Sequence, residues 1–342
     1  MALKGHTSLT YRSMSDGLVN NKFDKEIVDL LVQENPILDD MVVVEANDGS
    51  SEKVTMRTGV SSATWTAFYE GVQASHGSRR QVRNTSGRLR TKIEVDADLF
   101  DSSPDKNAVL LDEVADHAGQ MGQEMADCLF YGKIESEPRK FNGLINIYDT
   151  LGGSSSTDDR VAKHYVFNGK SASQASTAML RSIWLIGWGS KSIRAFYPQG
   201  SKAGLDRGQW KKVDAEDGIT TGATLELYRQ YMTWQLGLSV RDFRYGARLA
   251  NIQADEMFDT SGVPDYLSLL RRMVTRVKSD GVNQAFYMDK ITLEAVQEWL
   301  AAKTMTNALT FQNVQQRMTP VLFGIPVRTN DALNTNEDEV TA

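Results

Sequence analysis

At 342 residues, with 41% hydrophobic and 24% charged content, the chain has the composition of a folded globular protein and the length of two or three domains. Its net charge of −6 argues against a protein that binds nucleic acid through overall charge. No apolar run reaches the ~18 residues of a membrane span, and a lone cysteine, Cys128, rules out an intrachain disulfide and fits a reducing cytoplasm.

Residues 1–22 are polar and without period, and read as a mobile arm; "MALKGHTSLT" has no apolar core, so no secretory signal is expected. Phe23, Ile27, Leu30 and Leu31 have helical spacing, and Pro36 ends that helix. Met41 to Val44 reads as a strand. The next stretch alternates twice. Val54, Met56, Thr58 and Val60 alternate with Lys53, Thr55 and Arg57; later Leu89, Thr91, Ile93, Val95, Ala97 and Leu99 alternate with Arg88, Arg90, Lys92, Glu94, Asp96 and Asp98. This is the period of half-buried strands. Paired as two legs, they predict a long ribbon with Trp65, Phe68 and Tyr69 in a polar tip. With Arg79, Arg80, Arg83, Arg88, Arg90 and Lys92 toward the tip and Glu94, Asp96 and Asp98 toward the base, the charges are sorted along it. A two-stranded ribbon is marginal alone in water and needs a surface to lie on.

Residues 107–132 predict a long helix. Leu110, Val114, Ala118, Met121, Met125 and Leu129 form its apolar stripe, and Asp112, Glu113, Asp116, Glu124 and Asp127 make it acidic elsewhere. Gly132 stands where a helix ends. "GGSSSTDD", 152–159, has linker composition. Residues 221–252 read mostly as strands, with a long-strand candidate at 235–252. "PDYLSLLRRMVTRVKS" predicts a helix burying Leu267, Leu270, Val274 and Val277. "AFYMDKITLEAVQEWLAAK" predicts a strand and then a helix from about Thr292. "VLFGIPVRTNDAL" predicts a closing strand, with Pro326 suited to an edge or strand end.

Chemistry is scarce. "IGWGSKSIRAFYPQG", 186–200, superficially resembles a phosphate loop. Its glycines are one residue apart, Ser190 precedes Lys191, and Ser192 stands where a dinucleotide fingerprint needs glycine. Two short strands around a glycine-rich turn is the plainer reading. His117 has no second ligand at helical spacing, and Cys128 reads as a small core residue. His6, His76 and His164 lie outside any nucleophile motif. Asp158–Asp159, and Asp214 with Glu216 and Asp217, fall short of a calcium loop. Arg241, Arg244 and Arg248 alternate with Phe243 and Tyr245. Such a pattern can stack single-stranded bases, but strand arginines paired with carboxylates are the plainer reading. No catalytic residue, cofactor or metal site is expected.

The order of parts resembles the major capsid protein of tailed bacteriophages, the Hong-Kong-97-type coat fold: polar arm, ribbon, long acidic helix, mixed body. "CLFYGKIESEPRKFNGLINI", "FYMDKITLEAVQEWL" and "VLFGIPVRTNDAL" are similar to that family. "WGSKSIRAFYPQGSKAGL" and "WQLGLSVRDFRYGARLANI" look like its podovirus-like branch. Gly324-Ile-Pro326-Val327 lies nearer the end here than in the commonest coat proteins. The resemblance implies an α+β fold with an N-terminal arm at 1–48, an extended β-ribbon loop at 49–99, a peripheral domain at 100–258 built on a spine helix at 107–132, and an axial domain with the C-terminal strand at 259–342. It implies a structural, non-enzymatic protein of the virion capsid, assembled in the host bacterial cytoplasm as pentamers and hexamers of an icosahedral shell around double-stranded DNA. The DNA would be contacted weakly and without sequence specificity, with scaffolding, portal and possibly decoration proteins as partners and no membrane. Inter-subunit contacts would then fall on Trp65, Phe68, Tyr69, Arg79, Arg80, Arg83, Arg88, Arg90 and Lys92 of the loop, and on Asp112, Glu113, Asp116, Glu124 and Asp127 of the spine. An encapsulin-type cargo shell of the same fold, and a nucleotide-binding enzyme built around Gly187–Ser192, are the alternatives.

Overall fold

The computed structural model describes residues 9–10, 35–57, 61–77, 79–102, 106–152, 162–170, 179–216, 224–254, 257–258, 265–302, 309–314, 317–333 and 336–341. The expected arm (save Leu9 and Thr10), the helix through Phe23 and Leu31, His6, and the linker beyond Gly152 with Asp158 and Asp159 lie outside these. In chain order the elements are β1 (Leu9–Thr10), α1 (Ile37–Asp40), β2 (Val42–Glu45), β3 (Ser51–Arg57), β4 (Arg79–Thr85), β5 (Gly87–Asp96), α2 (Ala97–Ser102), α3 (Lys106–Tyr131), β6 (Val166–Asn168), β7 (Leu180–Trp188), β8 (Ile193–Tyr197), β9 (Leu205–Arg207), β10 (Lys211–Glu216), β11 (Thr224–Val240), β12 (Gly246–Gln253), α4 (Tyr266–Arg276), β13 (Asn283–Met288), α5 (Lys290–Ala302), β14 (Leu309–Val314), β15 (Arg317–Leu322) and β16 (Ile325–Thr329).

One sheet of 14 strands organises the body, with β1-β2-β8-β7-β13-β16-β15-β14 as its path. At its centre, β7 is buried at all nine positions, which is why its sequence is a near-continuous apolar run rather than an alternating one. Trp184 and Trp188 of β7, Phe196 of β8 and Phe286 of β13 are fully enclosed. The strand β11, 17 residues long, joins two regions. Leu227 to Leu236 pair antiparallel with β5, and Gly237 to Val240 continue onto β8. The glycine at the changeover is a packing requirement: a Cβ on Gly237 would sit 2.4 Å from the Phe196 ring.

α3 runs 26 residues, about 39 Å at 1.5 Å per residue. Val114, Ala118, Met121, Met125 and Leu129 are buried as the stripe predicts. The helix stops where Gly132 donates its N–H to the Cys128 carbonyl at 3.0 Å. No larger residue fits there, since a Cβ would lie 2.3 Å from the Phe141 oxygen. α4 buries Leu267, Leu270 and Met273, with Val277 just past its end; Val274 is half-buried. Asp265 caps it through the Ser268 N–H, and Tyr266 stacks on Trp299 of α5 with ring centroids 4.3 Å apart.

Several strand expectations change. The two alternating runs are not each other's partners. β3 pairs with β4, Ser51 to Arg57 against Thr85 to Arg79, whereas β5 pairs with β11, Asp96 to Gly87 against Leu227 to Leu236. Alternation reports which face of a strand is buried, and is silent on its partner. The second run ends at Asp96; Ala97, Asp98 and Leu99 belong to α2. The candidate 235–252 is two strands, broken where Asp242 accepts the Arg244 N–H and starts a single 3-10 turn. The closing strand is a hairpin, β15–β16, turning at Phe323 and Gly324, both with positive φ. β16 lies between β13 and β15, so of the two places expected for Pro326, an edge or a strand end, it takes the strand end. β12 and β13, on either side of residue 258, both pair with β7.

Candidate functional site

The ribbon β3–β4 is closed at its foot and open at its tip. At the foot, Ser51 and Glu52 are buried. Glu52 forms an ion pair with Arg194 of β8, and the Arg241 Nε lies 3.5 Å away. Asn84 donates to the Ser239 hydroxyl at 3.3 Å, and Gln199 N–H to the Gly49 carbonyl at 2.8 Å. On the outer side of the foot, Asp48 receives Lys53 at 3.1 Å and Arg83 at 3.3 Å. Hydrogen bonds from Lys53 and Ser51 hold the Asp48 carboxyl below its ordinary pKa.

Beyond Arg57 and Arg79 the chain widens into the loop of residues 61–77. Among the described residues its side-chain hydrogen bonds stay within the loop. The Ser75 hydroxyl reaches the Ser62 carbonyl at 2.8 Å, and a turn at Ala67 is closed by the Glu70 carboxylate on the Ala67 N–H at 2.9 Å. Trp65, Phe68 and Tyr69 are 101%, 98% and 108% exposed. Three large aromatics with no core contact among the described residues of their own chain are the feature a monomer does not explain.

The charges are placed differently from the sequence reading. The segment 61–77 holds one carboxylate, Glu70, and no lysine or arginine. Arg79 and Arg80 are exposed at the neck of the ribbon. Arg83 is three residues further down and committed to Asp48 and to the Ser51 hydroxyl at 2.8 Å. Arg88, Arg90 and Lys92 are on β5, off the ribbon altogether. Arg90 covers the Tyr231 ring at 4.1 Å, and Lys92 pairs with Glu94 at 2.8 Å. The tip is therefore aromatic and the neck basic, because the returning leg is shorter than the alternating run suggests.

The spine carboxylates divide too. Glu113 and Asp116 are exposed. Glu124 and Asp127 are 2.7 and 3.9 Å from Lys140 of the same chain; burial raises the Asp127 pKa against that attraction. The side chain of Asp112 lies outside the described ones. His117 bonds Thr91 of β5 at 3.0 Å, which ties spine to sheet. Among the described residues no cluster of three His, Cys, Asp or Glu could share a metal ion, and no helix is long and apolar enough to cross a membrane.

The glycine-rich stretch is closed upon itself. The Ser192 hydroxyl donates to the Gly187 carbonyl at 2.9 Å, Gly189 N–H to Ile193 at 3.0 Å, and Arg194 caps the Ser190 carbonyl at 3.1 Å. Gln284 and Gly187 are registered partners in the sheet. The Gly189 and Ser192 N–H groups and the Ser192 hydroxyl are spent inside the turn, which does not present the run of outward-facing N–H groups that phosphate binding needs. The strand arginines are paired: Arg244 with Asp242 at 2.6 Å, and Arg248 with Glu337 at 2.8 Å in the core.

Sequence reasoning missed two anchors. Glu52 sits in an alternating run where a charge reads as solvent-facing, and nothing in its neighbours signals Arg194, 142 positions away. Asp40 accepts from Tyr287 at 2.8 Å and from Arg328 at 3.2 Å, with Trp188 donating to the Tyr287 oxygen at 2.9 Å. Burial raises the Asp40 pKa, outweighing Arg328.

A ribbon projecting from a continuous sheet, beside a long spine helix, is the architecture of the Hong-Kong-97-type phage coat proteins. A structure of bacteriophage Epsilon15 matches with a TM-score of 0.66 at 23% identity, covering 88% of each chain. The bacteriophage JBD30 capsid gives a TM-score of 0.49 at 10% identity over 93% of this chain and 98% of that one. The capsid of a native GTA particle gives 0.42 at 9% over 73% and 95%; the fold assignment rests on the first of the three. The model of the family described as major capsid protein GP7 matches residues 20–341, and the chain belongs to that family. Its role is structural, and its place is the virion capsid. No curated protein matches the chain by sequence.

Proposed function

We propose that copies of this chain assemble as pentamers and hexamers into an icosahedral shell around double-stranded DNA, without catalysing a reaction. The observation that supports this most directly is the loop of residues 61–77, whose exposed Trp65, Phe68 and Tyr69 have no partner surface in their own subunit. A closed symmetric assembly supplies one, because each copy presents the same patches to its neighbours. The basic neck, Arg79 and Arg80, then faces the exposed spine carboxylates Glu113 and Asp116 of an adjacent copy. Opposite charges there set register more than affinity. Arg83, Arg88, Arg90, Lys92, Glu124 and Asp127 serve mainly within the subunit. Scaffolding, portal and possibly decoration proteins complete the particle.

In domain terms, the proposed arm ends near residue 48 and the extended loop spans 49 to about 86. β5, β9 to β11, α2 and the spine α3 form the peripheral part. The strands grouped around β7 form the axial part, and the proposed division runs along β11 near Gly237. Electron microscopy of the purified protein tests the reading: closed shells, or five- and six-membered rings, are expected. A stable monomer at every salt concentration, or shells enclosing protein cargo in place of nucleic acid, would overturn it.

A further inference from the structure

Among the described residues, one surface of the body carries a row of arginines without paired carboxylates. The face of α4 turned from the core, with the residues just past its end, presents Ser268, Arg271, Arg272, Thr275, Arg276 and Ser279. Met273, Leu270 and Leu267 hold the opposite face in the core. Among the described residues none of the three arginines has a carboxylate partner. Arg272 and Arg276 instead stand over the Phe167 ring, 5.9 and 4.8 Å from its centroid. Arg276 also donates to the His164 carbonyl at 2.8 Å, which brings the exposed Lys163 beside the patch. Partial burial, and then the charge of Arg272, depress the Arg276 pKa; the cluster is crowded with like charge. Of the nearby acids, Asp265 is engaged at the helix N-cap and Asp280 lies beyond the C-terminal end.

A row of guanidiniums flanked by Ser268 and Ser279, with no carboxylate paired to it among the described residues, offers mainly donors, while the Thr275 hydroxyl is already given to the Arg271 carbonyl at 2.9 Å. Such a surface suits phosphate oxygens, where Arg, Ser and Thr position a backbone without reading sequence. The i,i+4 pair Arg272 and Arg276 is spaced about 6 Å at Cβ and stiffened by the ring beneath it, so little freedom is lost on contact. The rest of the chain argues for a local site. A net charge of −6 repels a polyanion, so contact requires a concentrated patch of the opposite sign. We infer that this face of α4 is where each subunit meets the phosphate backbone of the packaged double-stranded DNA, an inference that rests on the capsid reading above.

The test uses full-length protein kept unassembled and a fluorescein-labelled duplex of about 20 base pairs and arbitrary sequence, chosen to offer several times the contacts of one patch. The wild type should bind weakly, with a steep dependence on salt. R271Q/R272Q should lower affinity about tenfold at 0.1 M salt and make the log–log salt slope shallower by about 2, since each phosphate contact contributes roughly 0.9. R271K/R272K should keep most of both. Unchanged affinity and slope in R271Q/R272Q would overturn the inference, as would an equal loss in the ribbon control R79Q/R80Q. Sedimentation reads assembly separately. R271Q/R272Q should still form shells; if it remains folded but does not, α4 is a contact between copies and the inference is wrong. Wild-type protein that never forms shells would sink the capsid reading instead, leaving the duplex titration to judge α4.

Discussion

Glu52, at the foot of the ribbon, and Arg194, on β8, form an ion pair across 142 positions of sequence, with the Glu52 side chain wholly excluded from solvent. Arg241 is the third member, 3.5 Å from the same carboxylate oxygen. The pair fixes where the ribbon leaves the body, and so the direction in which Trp65 and Phe68 are carried. Removing one member of a buried pair strands the other charge.

Glu52→Ala should therefore cost about 3–5 kcal/mol of stability, the range for breaking buried pairs. Urea unfolding followed by circular dichroism measures it. E52L/R194M should recover much of the loss, because apolar replacement of both partners removes the stranded charge. A loss below about 1 kcal/mol in E52A, on the same scale, would mean that the foot is held by β3–β4 pairing, Asn84 and the Gln199–Gly49 bond without the ion pair.

Cys128 gives a pH prediction. Burial raises its thiol pKa from 9.0 to about 11. The unfolded chain releases that proton first, so between pH 9 and 11 the native state binds more protons and stability falls as pH rises. The thiol's share is complete below pH 9 and gone above about 11. It amounts to at most about 3 kcal/mol, at 1.36 kcal/mol per pKa step. Urea unfolding of wild type and C128A at pH 8 and pH 10.5 isolates it, since other groups titrate in both. The wild type should lose more than C128A. Parallel losses would show that the thiol is not shielded.

Lys191 is exposed on a turn whose hydrogen bonds are internal. Lys191→Ala should change stability by no more than about 0.5 kcal/mol, as surface substitutions do, and leave assembly intact. Calorimetric titration with ATP should show no heat of binding in either protein. Saturable binding abolished by the substitution would reinstate a nucleotide site.

Much of the body was legible because its signals are local. The stripe Val114 to Leu129 is a helix whatever it packs on, and the apolar run Ile183 to Ile186 announces a buried strand. What escaped depends on distant partners. Arg88 and Arg90 alternate correctly, yet their run pairs with β11, more than 130 residues on, and not with the strand expected opposite. That one change takes three cations, Arg88, Arg90 and Lys92, off the ribbon. Glu52 and Asp40 escaped because a buried carboxylate is marked only by its cation, Arg194 or Arg328, which sequence proximity does not reveal.

The loop aromatics should matter to assembly and not to folding. W65A/F68A/Y69A removes side chains that touch almost nothing in their own subunit. Its thermal midpoint should match wild type, with less than about 0.5 kcal/mol lost. Shell formation should fail or slow strongly, since aromatic anchors dominate interface energetics. Normal shells by sedimentation would show that the tip makes no essential contact between copies.

The neck arginines provide the electrostatic counterpart. Reversing Arg79, Arg80 and Arg83 together mixes two roles, because Arg83 is bound to Asp48 inside the subunit, 3.3 Å away. R79E/R80E is the cleaner change. Both residues are exposed and lie on β4 beyond the foot, so the double mutant should fold as wild type by circular dichroism. An exposed charge pair contributes only about 0.2–1 kcal/mol, and a single reversal is expected to be nearly silent. Two reversals in every copy turn attraction into like-charge contact, which costs several kcal/mol across an interface. Assembly at 0.05 M salt should therefore be suppressed in R79E/R80E, and should recover partly as salt rises and the Debye length shrinks from about 10 Å at 0.1 M to 3 Å at 1 M. Wild-type shells should respond in the opposite direction, forming less readily at high salt. The partner face can be tested in the same assay. If Glu113 and Asp116 of the spine oppose the neck, E113K/D116K should be defective alone and should rescue R79E/R80E when the four changes are combined in one chain. Lack of rescue, with each double mutant defective and folded, would place the neck against another surface. Wild-type assembly by R79E/R80E at low salt would remove electrostatics from the ribbon contact and leave it to Trp65, Phe68 and Tyr69.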